Sequence, residues 1–135
     1  MNRFFSIFML AVALSALAFP AGSQDDENLA YRLASIAARA DLAADDPLVA
    51  KASGLLERAA TAFGEPREQI ANLAMRGLRL LHDRAATPLD ILEGTLAAPP
   101  GGTFSGALGR YVTLRNRGNS HGKTLAAMAA KSPGG

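Results

Sequence analysis

Apolar and polar residues alternate along this chain with a helical period almost throughout. The clearest stretch is Glu65–Arg84, where Ile70, Leu73, Ala74, Gly77, Leu78 and Leu81 form one continuous stripe. Spacings of three and four residues put such positions on a single helix face, so the pattern predicts a helix buried on one side. Glu65-Pro66 suits its start, because proline at the first helical position gives up an N–H that would have no partner. Arg76, Arg79 and Asp83 fall off the stripe, and His82 and Arg84 in a last turn would complement the negative helix end.

Shorter stripes flank it. Leu29, Leu33, Ile36, Ala37, Ala40 and Ala44 predict a helix over Asn28–Ala44, preceded by a polar lead-in at Gln24–Glu27. Asp46-Pro47 caps and starts a second, carrying Leu48, Ala52, Leu55, Leu56, Ala59 and Phe63 and stopped by Gly64. Thr87-Pro88-Leu89-Asp90 is a further start close to a capping box; Leu89, Leu92 and Leu96 follow, with Ile91 beside the stripe. Pro99-Pro100-Gly101-Gly102 ends that helix.

Beyond it the pattern is weaker. Phe104, Leu108, Tyr111, Val112 and Arg115 recur at helical spacing from a cap at Thr103 or Ser105. Gly106 and Gly109 weaken such a helix by about 1 kcal/mol each relative to alanine, which leaves a short strand at Arg110–Leu114 as the alternative. Ser120 caps a last alanine-rich helix over Lys123–Lys131, and Ser132–Gly135 is a frayed end. The expected fold is all-α: a small antiparallel bundle of about four main helices, with a Gly-rich basic C-terminal extension holding one or two short helices. Irregular orthogonal packing fits the same stripes.

The first residues stand apart. Asn2-Arg3 is followed by the apolar run Phe4–Phe19, then by Pro20 and small residues, the order of a secretory signal peptide. The sixteen residues of this run, broken only by Ser6 and Ser15, reach only about 24 Å as a helix, short of a ~30 Å hydrocarbon core, so a cleaved leader is preferred over an anchor. Cleavage is expected between Ser23 and Gln24, with Ala18 and Phe19 as the alternative. The expected organisation is a signal peptide at 1–23, the bundle at 24–99 and the basic segment at 100–135, in a periplasmic or secreted protein touching the membrane only through its leader.

Cysteine is absent, which removes lipoprotein anchoring, disulfides, thiolate metal sites and covalent haem. The preference for alanine, and for arginine over lysine, suggests a GC-rich bacterial source. The formal net charge of +2 conceals an asymmetry: eight acids face four bases between Gln24 and Glu65, whereas no acid follows Gly94. Arg110, Arg115, Arg117, Lys123 and Lys131 lie in that acid-free part.

Candidate chemistry gathers at Arg115–Thr124, RNRGNSHGKT. Its Gly122-Lys123-Thr124 ending resembles a phosphate-binding loop, but position 117 is arginine where the pattern needs glycine, and no βαβ sheet to hold such a loop is apparent. What remains is a flexible basic loop, in which Arg115, Arg117, Ser120, His121 and Lys123 are expected to meet an acidic protein partner or an anionic ligand. His82 and His121 are the only imidazoles, and no pair of His, Asp or Glu forms a recognised ligand motif. Neither metal nor cofactor is expected. Asp90 and Glu93 are read as acids favouring a helix start. No G-x-S-x-G elbow is present, and no catalytic residue is assigned.

A non-enzymatic binding module is therefore expected. The alternative is a small periplasmic hydrolase with a cleft between bundle and C-terminal segment, served by His121, Ser120 and Ser105. Nucleic acid is not expected as a partner, given the export signal, the modest charge and the few aromatic residues.

Overall fold

The computed structural model describes residues 21–130, and these form six α-helices with no strand among them. They are α1 (Ala21–Ala38), α2 (Pro47–Phe63), α3 (Arg67–Leu80), α4 (Pro88–Leu96), α5 (Phe104–Asn116) and α6 (His121–Ala129). The expected leader up to position 20, with the alternative cleavage point expected at Ala18 and Phe19, lies outside the described residues, as do Lys131 and the residues after it. Ser23 and Gln24 fall in the first turn of α1. No described helix is long and apolar enough to cross a membrane.

Four of the starts read from sequence are made by side-chain caps. Asp46 Oδ1 accepts the Leu48 N–H at 2.9 Å, Thr103 Oγ1 that of Gly106 at 3.0 Å, and Ser120 Oγ that of Lys123 at 3.2 Å. Thr87 forms a full capping box, its Oγ1 accepting from the Asp90 N–H at 3.2 Å while Asp90 Oδ2 accepts from the Thr87 N–H at 3.0 Å. Gly64, at φ 63°, closes α2 in the left-handed conformation that glycine adopts without strain. The strand alternative at Arg110–Leu114 is not adopted, because Phe104, Leu108, Tyr111 and Val112 share one buried helix face.

Several boundaries differ from the sequence expectation, including the start of α6, which lies at His121 rather than Lys123. The polar lead-in is helical: α1 already runs from Ala21, and it ends at Ala38 rather than Ala44. Arg39 turns left-handed there at φ 57°, and the Tyr31 hydroxyl donates to the Leu42 carbonyl at 2.8 Å, holding the following loop. Pro66 is the N-cap of α3 rather than its first residue, and α3 stops at Leu80. Asn116 takes over at that end: its Nδ2 donates to the Leu80 carbonyl at 3.0 Å and its Oδ1 accepts the His82 N–H at 2.9 Å. His82 and Arg84 thus stand in a connecting loop, outside any helix.

The organising element is α4. It packs against each of the other five helices, and Pro88, Leu89, Ile91, Leu92, Gly94 and Thr95 are all buried. A helix apolar on nearly every side belongs in a core. The fully buried Phe104, Tyr111 and Met128 belong to the same hydrophobic cluster, so the C-terminal helices are part of that core. Two glycines stand at close approaches, and at Gly94 the neighbour is a buried ring rather than the end of a flexible side chain. A Cβ on Gly94 would lie 2.9 Å from Tyr111 Cγ and nearer still to the ring edge, and one on Gly77 would meet Leu108 Cδ1 at 2.5 Å.

Candidate functional site

Only two charged residues interrupt the apolar surface of α4, Asp90 and Glu93. Three positions apart, they share a face, and both are half-buried. His121, the first residue of α6, lies against that face. Its Nε2 is 3.8 Å from Asp90 Oδ1 and 3.8 Å from Glu93 Oε1. One ligand-type atom from each of the three residues lies within 4.8 Å of the other two. Asp90 divides its labour, with Oδ2 in the capping box and Oδ1 turned to the imidazole.

The other side of the imidazole is held by a relay. His121 Nδ1 is 2.8 Å from the Tyr111 hydroxyl, which accepts from Arg115 Nη1 at 2.8 Å. Arg115 Nη2 in turn pairs with Asp83 Oδ2 at 2.6 Å. The Arg115 guanidinium also lies over the Tyr111 ring, 5.8 Å from its centroid. A continuous polar string therefore runs from Asp83 through Arg115, Tyr111 and His121 to the two carboxylates, and Lys51 extends it at 4.0 Å from Glu93.

Burial pushes the Tyr111 hydroxyl above the ordinary tyrosine value; the Arg115 hydrogen bond and charge oppose this, and Asp90 and Glu93 add to it. The phenol is thus held neutral, as a fixed support for the histidine. His121 Nε2 is shielded from solvent and has no hydrogen-bond partner. At 3.8 Å the carboxylates are too far to bond it directly. Beside this cluster, a groove of about 500 Å³ runs between α2, α4 and α6; Lys51, Arg58 and Glu93 line it with Leu55, Leu96 and Leu125.

The residues expected to form a basic binding loop divide into two groups. Arg115 and His121 are brought together through Tyr111, and the Arg115 side chain is only 7% exposed, with its charge met by Asp83. Ser120 is the N-cap of α6. Arg117 and Lys123 are exposed, and neither is in an ion pair described among residues 21–130. Ser105 and His82 are exposed too, and no hydrogen bond joins either to His121 among the described residues.

Sequence reasoning missed Tyr111, Asp83, Asp90 and Glu93 as partners of His121. The available signal was the pair Asp90 and Glu93, alone on an otherwise apolar helix. Compared with protein-family models, curated proteins and solved structures, the chain matches none.

Proposed function

We propose that this chain is an exported, non-enzymatic binding module, periplasmic or secreted after cleavage between Ser23 and Gln24. In this reading an antiparallel scaffold of about four main helices carries the basic C-terminal segment to an acidic protein partner or an anionic ligand. The observation that carries it is the acid-free run after Gly94, on which Arg117 and Lys123 stand exposed at the α5–α6 turn. The N-terminus of α6 adds its positive end to the same turn. The groove beside α6 brings Lys51 and Arg58 to a rim above apolar Leu55, Leu96 and Leu125. Such a rim suits an acidic surface with some apolar content.

Arg115 is not assigned to the contact, because its charge is spent on Asp83 and Tyr111. The probe is therefore the double reversal Arg117→Glu/Lys123→Glu. Used as bait in native envelope and culture fractions, the natural chain should hold a partner that salt weakens, as screened surface charges require. The double variant should lose that partner while keeping its helicity by circular dichroism. Equal capture by both baits would sink the reading. Deleting the C-terminal segment is not a substitute, since Phe104, Tyr111 and Met128 belong to the core. The hydrolase alternative has less support: Ser120 Oγ is occupied as a cap, and no serine hydroxyl is hydrogen-bonded to the His121 imidazole among the described residues.

A further inference from the structure

We infer that Asp90 Oδ1, Glu93 Oε1 and His121 Nε2 form a site for a divalent transition-metal ion, independent of the basic turn proposed above. This departs from the sequence expectation of no metal. The three atoms come from two helices and lie within 4.8 Å of one another. Donors about 2.1 Å from a tetrahedral zinc ion lie roughly 3.4 Å apart. The two observed 3.8 Å separations to the imidazole therefore need to close by a few tenths of an ångström, and the separation of the two carboxylate oxygens, within 4.8 Å, by at most about 1.4 Å. Small rotations of the half-buried carboxylates provide that.

A second observation points the same way. His121 Nε2 is shielded from solvent and makes no hydrogen bond, yet it faces two carboxylate oxygens just beyond bonding distance. A shielded ring nitrogen normally has a partner, and an ion between the three groups supplies one. The ring is also oriented as a ligand requires. With the proton on Nδ1 donated to the Tyr111 hydroxyl, 2.8 Å away, the Nε2 lone pair faces the carboxylates. Arg115 and Asp83 fix that hydroxyl from behind.

Charge balances as well. Two carboxylates and a neutral imidazole neutralise a dication, and Lys51 near Glu93 is the cation it would displace. One imidazole with two carboxylates favours ions such as Zn²⁺ over Mg²⁺ or Ca²⁺, which prefer all-oxygen sites. Three protein ligands leave coordination positions for water or for a ligand group entering from the groove that Glu93 lines.

The test is titration calorimetry of the purified, metal-stripped full chain with Zn²⁺. One equivalent should bind. Glu93→Gln and His121→Gln should each weaken binding by about tenfold or more, and His82→Ala, which removes the other imidazole, should leave it unchanged. Lys51→Met should bind Zn²⁺ more tightly than the natural chain, an effect that loss of folding cannot mimic. Absence of saturable binding, or equal binding by the natural chain and a folded Glu93→Gln variant, would overturn the inference. So would loss of Zn²⁺ on His82→Ala.

Discussion

Replacing Gly94 by alanine sets two physical effects against each other. On helix propensity alone the change should stabilise α4 by about 1 kcal/mol. The new methyl, however, has no room. It would lie 2.9 Å from Tyr111 Cγ and closer to the ring edge, and Tyr111 is fully buried with little freedom to withdraw. Overpacking of this kind costs about 1–3 kcal/mol. If the ring does shift, its hydroxyl leaves both Arg115 and His121, and each buried polar group so orphaned costs about 1–3 kcal/mol more. With the propensity gain subtracted and the ring displaced, the net expectation is a loss of about 2 kcal/mol or more, lowering the melting temperature by roughly 8 °C or more. The internal control is Gly54→Ala in α2, whose Cβ would have nothing within 4 Å; it should gain up to about 1 kcal/mol. Thermal melts followed by circular dichroism compare the two directly. If Gly94→Ala melts at or above the natural chain, the claimed dependence of the core on this close approach is wrong.

Stability at high pH should report Tyr111. Its proton is held more tightly in the folded chain than in the unfolded one, so its contribution is complete below the ordinary tyrosine value near pH 10 and is lost as pH rises through the higher folded value. Urea midpoints should fall as pH climbs beyond about 10, and Tyr111→Phe should flatten that fall; an equal slope in both chains would contradict the burial argument. Thr87→Ala removes one half of the capping box on α4 and should cost about 1 kcal/mol, read as a melting temperature lower by roughly 4 °C. An unchanged melt would mean that packing alone fixes the start of α4.

What was legible in the sequence follows from the range of the forces involved. Caps are local chemistry, so Asp46, Thr87 and Ser120 could be read directly and occur where the residue pattern put them, while Thr103 was one of two candidates beside Ser105. The ends of α1 and α3 depend on distant groups. The loop after α1 is tied down by Tyr31 and the end of α3 by Asn116, thirty-six positions beyond Leu80. Ile91 appeared beside the stripe of its helix, yet it is completely buried, because five neighbours surround α4 and leave it no outer apolar face. The candidate site was half visible. His121, Arg115 and Ser120 drew attention by residue type, but Asp90 and Glu93 were satisfied by a local account, since acids near a helix start need no other reason. Only the fold shows that this same face meets His121.

The central position of α4 has a consequence for how the protein opens. Nine residues do not hold a helix in water unaided, and the amides of Ile91 and Leu92 are covered on all sides by other elements. Hydrogen exchange at those amides therefore requires the neighbours to separate, which is global unfolding rather than local fraying. Anything that binds the native surface but not the unfolded chain, wherever it sits, lowers the separated population by the factor 1 + [L]/Kd. The exchange rate at Ile91 and Leu92 thus serves as a built-in gauge, able to register a ligand that never touches α4.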